Sequence, residues 1–231
     1  MIDKLMKKYE AYSLVEMLIT IVIIGIVMLI ASVTLTTLIK ISTVSSNKTR
    51  VRTESEFVLE LVRRTVRNSN PSDVYIYNSS SARKYDPVDN LVEDELGANL
   101  PSVYGTSLGE NQVGNEIHFR PYGYESWVCI AFFTSVSDPE MGYIVKTTAA
   151  DLTGQHQNCF AQGYTGYMIP LNSDIVDIDN FQIAYTILDD SNYMIRFDID
   201  AEPTEWYLSF GAPVRKEVHR QAVVSTEGIV W

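Results

Sequence analysis

Residues 11–25 read AYSLVEMLITIVIIG, and this stretch decides the fold of the N-terminal part of the chain. Glu16 opens an apolar run, and the next charged residue is Lys40, so residues 17–39 carry no charge. As an α-helix this run would be about 35 Å long, enough to cross a hydrocarbon core of roughly 30 Å. Three lysines lie upstream of it: Lys4, Lys7 and Lys8. The pattern predicts a short basic leader and then a membrane-spanning helix with one carboxylate near its start.

Two ordinary kinds of N-terminal segment compete with this interpretation. A secretory signal peptide has an apolar region of roughly 7–15 residues followed by a small-residue cleavage site, whereas this run is longer and continues into a helical pattern. A plain single-pass anchor explains the length and the lysines. It does not explain Glu16, because an ionisable group at the membrane edge is costly and is usually functional.

The segment AYSLVE resembles the cleavage signal of type IV pilins and of the pseudopilins of type II secretion. In that family a prepilin peptidase cuts before an aromatic residue or Met, the new N-terminus is methylated, and Glu occupies the fifth mature position. The resemblance implies a cut between Ala11 and Tyr12, which makes Glu16 the fifth mature residue. One position departs from the pattern, since the residue before the cut is usually Gly and here is Ala11. The close resemblance covers about residues 1–40.

The same resemblance implies an assembly role for Glu16. In the family, the carboxylate of one subunit meets the new N-terminal amine of a neighbour as helices pack into a filament. A subunit out of register would leave both charges unpaired, which is expensive in a buried setting. The partners implied are a prepilin peptidase, other pilin subunits and an inner-membrane assembly platform, in addition to membrane lipid. The layout also looks somewhat like the larger minor pilins of the PilW or GspJ kind.

The charge of the chain is unevenly distributed. Residues 71–231 carry 8 Lys/Arg and 23 Asp/Glu, a net charge of −15, within a chain whose total is −11. This acidic part argues against broad nonspecific nucleic-acid binding, because phosphates would be repelled, although it leaves room for a local basic patch. The lysines before the apolar run predict a cytoplasmic N-terminus, which puts the C-terminal domain outside the membrane.

Cys129 and Cys159 are the two cysteines of the chain. Both would lie on the oxidising side of the membrane, where disulfides persist, and a bond between them would close a loop worth roughly 3–4 kcal/mol. Two free thiols remain the alternative. A metal site needs more ligands than this pair, and its spacing matches no zinc motif.

The sequence predicts an α+β fold, in which a long N-terminal helix packs on an antiparallel β-sheet domain. Apolar residues recur at near-helical spacing over 51–66, and Asn68 to Pro71 form a stop signal. One helix is therefore expected from about Leu14 to Arg67, with a membrane-spanning first half and an amphipathic second half. The expected parts are a leader at 1–11, the helix region at 12–70 and an extracytoplasmic β-rich domain at 71–231.

Several segments of the C-terminal part have strand-like patterns, whereas residues 78–114 look loop-like. The runs FQIAYTIL and YMIRFDI flank a turn at residues 189–192 and predict a β-hairpin. The C-terminal segment 217–231 reads as a strand or a short helix. The other candidate strands are EIHFR, SWVCIAFFT, YIVKT, NCFAQ, YMIPL and WYLSF.

No catalytic residue, metal site or cofactor is predicted. Ser107 is central in GTSLG, which matches the nucleophile-elbow pattern, but that motif needs a strand before it and a helix after it, and the surroundings are loop-like. Three scattered histidines have no ligand spacing: His118, His156 and His219. Acidic groups that could hold calcium read better as solvated turn residues: Asp174, Asp177 and Asp179, and the pair Asp189 and Asp190.

The function predicted is therefore structural. The chain is expected to be a pilin-like, minor subunit of a type IV pilus or type II secretion-like filament, first held in the cell membrane and then carried into a surface filament. The alternative is a single-pass anchored ectodomain that binds a ligand and never polymerises. An enzyme is the third possibility, and Ser107 alone speaks for it.

Overall fold

The computed structural model describes residues 13–78, 83–94, 107–150, 159–160, 168–189, 192–204 and 217–226. The chain divides into two compact units, Met1–Ser46 and Asn47–Trp231. Helix α1 (Leu14–Arg67) has 54 residues, and both of its ends lie at the positions that the sequence predicts. Arg64 and Arg67 in its last turn complement the negative end of the helix dipole.

The second half of α1 is amphipathic and packs on the β-domain. One face is buried, and its members recur three or four residues apart: Val51, Ser55, Val58, Leu59, Val62 and Val66. The opposite face carries ion pairs within the helix, among them Arg50–Glu54 and Arg52–Glu56, each at 3.7 Å. Exposed pairs of this kind contribute only a few tenths of a kcal/mol each. Burial of the apolar face is therefore what fixes this part of the helix.

In the described part of the chain, the larger sheet has seven strands, and β5 (Ser126–Ser135) is its centre. On one side β5 pairs antiparallel with β6 (Gly142–Ala150), and β6 pairs with the short β7 (Ile169–Pro170). On the other side β5 pairs antiparallel with β4 (Glu116–Pro121), which in turn pairs with β1 (Ser69–Tyr77).

The segment that looked loop-like contains two strands. β2 (Arg83–Asp86) and β3 (Leu91–Asp94) form an antiparallel hairpin. The antiparallel sheet also has one parallel pairing among the described strands, because β2 runs parallel to the end of β5 with Tyr85 opposite Ser135. Both strands have four residues, too few for a clear period-two pattern.

The smaller sheet is an antiparallel meander in the order β10-β9-β8. The predicted hairpin is present as β8 (Val176–Asp189) and β9 (Asn192–Pro203). The C-terminal segment, left open between strand and helix, contains β10 (Val218–Ser225). The candidate NCFAQ is not a strand where it is described, since Cys159 and Phe160 form a turn. The candidate WYLSF lies outside the described residues.

The segment 108–115 joins the two sheets by backbone hydrogen bonds. The Leu108 N–H donates to the Ile76 carbonyl at 2.8 Å, and Gly114 exchanges two bonds of 2.8 Å with Ile183. Gly114 is required by space, because a Cβ there would overlap the Tyr77 carbonyl oxygen and the Ile76 side chain.

Two buried clusters lie on opposite faces of β5. Val128 and Ile130 belong to the main core, which also contains the buried residues of α1 and the inner face of the smaller sheet. Trp127, Cys129 and Phe133 belong to a second cluster with residues of β2, β3 and β6. Because successive strand side chains alternate between faces, the nearly continuous apolar run of β5 indicates a strand that is covered on both sides.

Candidate functional site

The first turn of α1 shows one of the two hydrogen bonds of a capping box. Ser13 precedes the helix, and its backbone N–H donates to Glu16 Oε2 at 3.4 Å. The Met17 N–H donates to the Ser13 carbonyl at 3.1 Å, closing the first turn. A Ser followed three residues later by a Glu that reaches back to it is a recognised N-terminal cap, and a negative charge is favourable at this end of a helix. Glu16 therefore also has a local capping role, and the spacing from Ser13 to Glu16 is its signal in the sequence.

The helix after Glu16 is apolar on all sides and is exposed on all sides. The large apolar side chains from Leu14 to Val44 keep between 49% and 82% of their surface accessible. By length and composition α1 can cross a membrane, and none of its most apolar stretch is buried. Apolar surface on this scale needs lipid or other apolar helices around it.

The threonine hydroxyl groups in this stretch are satisfied within the helix itself. Thr34, Thr36, Thr37 and Thr43 each donate to the carbonyl four residues earlier at 2.8–3.0 Å. Thr20 donates in the same way to the Glu16 carbonyl. Hydrocarbon offers no hydrogen-bond partners, so internal satisfaction of this kind suits a helix that lies in lipid.

Within the described residues, these features define one helix that is long and apolar enough to cross a membrane and that carries a carboxylate at its start. The chain carries the prokaryotic N-terminal methylation motif at residues 6–32, the signal of type IV prepilins. No curated protein and no solved structure matches the chain. The resemblance to the prepilin signal is thus confirmed, and it points to a structural class of protein. The motif includes Ala11 and Tyr12, which lie outside the described residues, as well as Glu16.

A second polar cluster is buried in the β-domain. Arg83 of β2 forms an ion pair with Glu116 of β4, and both side chains are completely inaccessible. Glu116 also contacts His118, with 2.6 Å between Glu116 Oε1 and His118 Nε2. The Arg83 guanidinium lies over the Phe133 and Phe160 rings, at 5.2 Å and 5.7 Å from their centroids. Burial of ions is tolerated only with such pairing.

Cys129 and Cys159 form a disulfide next to this cluster, with their Cα atoms 6.1 Å apart. His118 lies directly opposite Cys129 in the β4–β5 ladder. A ring nitrogen of His118 and both sulfur atoms lie within 4.8 Å of one another, and all three residues are buried. The disulfide therefore attaches the turn at Cys159 to the face of the sheet that bears the ionic cluster.

Sequence reasoning missed this cluster, although part of its signal was present. In EIHFR, Glu116 and His118 are two residues apart, so a strand places them on one face. Their partner Arg83 lies more than 30 residues earlier, in a segment that was read as a loop, and nothing local connects it to β4. His118 was interpreted as an isolated histidine, whereas the structure gives it a carboxylate and two sulfur neighbours.

A third feature is an acidic concavity of about 340 Å³ between the β5–β6 connection, β8 and the end of β9. Asp177, Asp179 and Glu202 bring carboxylate oxygens within 4.8 Å of one another there. Asp177 is only 8% exposed, and desolvation raises the pKa of its carboxyl from 3.8 to about 6. The expectation of solvated turn acids is wrong for Asp177, which is a buried residue of β8. Asp174 accepts a hydrogen bond from the Tyr143 hydroxyl at 3.0 Å.

The remaining candidates are scattered. Ser107 lies outside any strand or helix, and no hydrogen bond joins it to a histidine or carboxylate in the part of the chain that the structure describes. His219 lies on the solvent face of the smaller sheet, where its Nδ1 is 2.5 Å from Asp200 Oδ1, and this hydrogen bond raises the pKa of the imidazole. His156 and Asp190 lie outside the described residues.

Proposed function

We propose that this protein is a minor pilin-like subunit that enters a filament through its N-terminal helix. It is held in the cell membrane as a single-pass precursor with its N-terminus in the cytoplasm, is cut between Ala11 and Tyr12 by a prepilin peptidase, and is methylated at the new amine. An assembly platform in the inner membrane then transfers it into a filament with other pilin subunits. The Glu16 carboxylate pairs there with the N-terminal amine of a neighbouring subunit.

The observation that carries this proposal is the position of Glu16. It is the only charged residue between Tyr12 and Ile39, it lies in the first turn of a 54-residue helix, and it falls inside the methylation motif. Attraction between unit charges grows several-fold where water is excluded. A carboxylate and an amine that meet among packed apolar helices therefore stabilise the correct register, and each is costly when the other is absent.

The proposal of a minor subunit rests on size. The mature chain would have 220 residues, from Tyr12 to Trp231, and its β-domain has two sheets and a disulfide. A large domain of this kind suits a subunit that occupies few positions in the filament. Quantitative mass spectrometry of purified filaments should find this chain at a small fraction of the amount of the main subunit; comparable amounts would contradict the minor role.

The capping contact of Glu16 allows an experiment that separates two roles of the same side chain. Glu16→Gln keeps the capping box, because Gln also serves at this position, and removes the charge. Glu16→Ala removes both. If charge pairing drives assembly, both variants should still insert and be cut, and both should fall at least tenfold in sheared surface filaments relative to the membrane pool. If Glu16 acts only as a cap, Glu16→Gln should enter filaments like the wild type.

Glu60→Gln is the matched control. Glu60 is an exposed glutamate of the same helix, paired only loosely with Arg63 at 3.8 Å, and its replacement should leave the amount in filaments unchanged. Equal incorporation of wild type, Glu16→Gln and Glu16→Ala would overturn the proposed pairing. An absence of the wild-type chain from filaments, with full recovery in the membrane, would favour the anchored ectodomain that never polymerises.

A further inference from the structure

The second half of α1 carries an exposed aromatic residue and an arginine without a partner on its outward face. Its buried residues include Ser55 and Val62, and at about 100° per residue Phe57 and Arg64 fall on the opposite side of the helix. Phe57 keeps 60% of its surface accessible. No hydrogen bond or ion pair engages the Arg64 side chain in the part of the chain that the structure describes. Aromatic residues and arginine are enriched in protein interfaces.

A cleft of about 410 Å³ lies beside Arg64, between the end of α1 and the turn that joins β4 to β5. Two tyrosines of that turn are accessible, Tyr122 at 39% and Tyr124 at 69%. The cleft therefore combines one guanidinium with two aromatic rings. Its lining residues are Arg64, Thr65, Asn68, Pro121, Tyr122 and Tyr124.

Backbone hydrogen bonds hold the two walls of the cleft in place. The Tyr122 N–H donates to the Asn68 carbonyl at 2.9 Å, which ties the turn to the end of the helix. The Tyr124 N–H donates to the Pro121 carbonyl at 3.2 Å and closes the turn. Gly123 has a φ of +77° there, a conformation that glycine adopts without steric cost. Since neither wall has to be ordered on binding, little affinity is lost to ordering.

We propose that the surface formed by Phe57, Arg64, Tyr122 and Tyr124 binds an acidic segment on a neighbouring pilin-like subunit. The inference rests on the proposed function, because it needs a neighbour in the filament. A carboxylate of that segment pairs with the Arg64 guanidinium inside the cleft, where the tyrosine rings exclude water and strengthen the bond. Apolar atoms of the same segment cover Phe57, which lies two helical turns, about 10 Å, before Arg64.

Charge favours an acidic partner of limited size. Residues 47–68 carry six Lys/Arg and three Glu, a net charge of +3, whereas residues 71–231 carry −15. A nucleic acid carries charge along its whole length and would be repelled by the β-domain, while a short acidic segment meets only the basic end of the helix. A sugar held in the cleft alone would leave Phe57 exposed.

Charge reversal at two adjacent arginines tests the contact. Arg64→Glu changes the cleft, and Arg63→Glu makes the same change on an exposed neighbour that does not line it and that is paired only at 3.8 Å with Glu60. Both variants should insert, be cut and keep their circular dichroism spectrum. Arg64→Glu should fall roughly tenfold or more in sheared filaments relative to the membrane pool, whereas Arg63→Glu should match the wild type.

Equal incorporation of Arg64→Glu and Arg63→Glu would overturn the proposed contact and leave the proposed function standing. Absence of the wild-type chain from filaments would overturn both. The two failures are therefore distinguishable in one set of filament preparations.

Photo-crosslinking in purified filaments identifies the occupant. A benzophenone amino acid in place of Tyr124 should form an adduct with a peptide of another pilin-like subunit that contains Asp or Glu, and reversal of that residue to Lys should restore incorporation of Arg64→Glu. The same probe in place of Leu188, which is exposed on the smaller sheet, should not capture that peptide. An adduct with a nucleic acid, a polysaccharide or a peptide without a carboxylate would overturn the proposal.

Discussion

The backbone N–H of Gly142 donates to Asp177 Oδ1 at 2.8 Å, which joins β6 of the larger sheet to β8 of the smaller one. Asn172 reinforces the junction, since its amide bonds the Gly142 and Val176 carbonyls and the Ile144 N–H at 2.9–3.0 Å. The carboxylate at this junction is buried, and other carboxylates surround it. The charged form of Asp177 is therefore disfavoured at this position.

Asp177→Asn should stabilise the protein at neutral pH. Burial and the negative charges of Asp179, Glu202 and Asp138 raise the pKa of Asp177 from 3.8 to about 6 in the folded state. The folded state therefore holds this proton more tightly than the unfolded state does. The contribution to stability is complete below about pH 4 and is lost as the pH rises through about 6, on the order of 1–3 kcal/mol. Asparagine can still accept the Gly142 hydrogen bond and does not ionise.

Urea unfolding at pH 4 and pH 7 measures the effect. The difference between Asp177→Asn and wild type should be larger at pH 7 than at pH 4, while the exposed turn variant Asp89→Asn should show no such trend. A loss of stability at pH 7 in Asp177→Asn would contradict this account.

Gly142→Ala should destabilise the same junction. A Cβ at this position would overlap the Ile178 carbonyl oxygen and the Phe132 ring, and a backbone atom cannot move aside cheaply. Overpacking of this kind costs about 1–3 kcal/mol or more. Gly109→Ala is the control, because the nearest atoms to its Cβ would lie 3.8 Å away; thermal melts should show a lowered midpoint for the first variant only.

Arg83→Met should lower the free energy of unfolding by about 3–5 kcal/mol, because it leaves the buried Glu116 without its guanidinium partner. The double variant Arg83→Met/Glu116→Gln should lose less than the single one, since position 116 then carries no charge that needs a partner. Arg52→Met breaks an exposed pair and should change stability by less than about 0.5 kcal/mol. If denaturant titrations showed a loss for Arg83→Met as small as the loss for Arg52→Met, the buried pair would not be needed for stability.

Replacement of both cysteines by alanine should destabilise the protein by up to about 3–4 kcal/mol, the chain-entropy value for a loop of this length. The bond links β5 to a turn 30 residues away, and two buried side chains also shrink. Urea titration of the oxidised wild type, the reduced wild type and the double variant measures this loss of stability. If the urea midpoint of the oxidised wild type equalled that of the reduced wild type and that of the double variant, packing alone would hold the turn at Cys159 in place.

Processing should follow the size of the residue before the cut. Ala11→Gly should be cut at least as well as wild type, because the family pattern has Gly there, whereas Ala11→Leu should block cutting. Mass spectrometry of membrane protein from cells with the matching peptidase should find a mature, methylated chain that begins at Tyr12. Assembled protein that still begins at Met1 would contradict the predicted site.

The local sequence determined the helix and the prepilin signal. Glu16, the uncharged run and the apolar spacing over 51–66 are each local signals, readable from neighbouring residues. The bounds of α1 and its two halves could therefore be read directly. The long strands β5, β8 and β9 were also predictable, because each is long enough to show its pattern. The short β2 and β3 were not, since four residues give too little pattern to separate a strand from a loop.

Only the tertiary structure decided what lies between distant segments. It brought Arg83 to Glu116 across 33 positions of sequence. It placed His118 beside the sulfurs of Cys129 and Cys159. It also buried Asp177, although the acidic residues around Asp177 in the sequence had suggested a solvated turn. Strand pairing and sheet packing are set by the combined burial of many side chains. The residues that neighbour any one of these side chains along the chain do not reveal that combination. The physical reason is that charge and burial act through space, whereas sequence patterns report only on residues that are close along the chain.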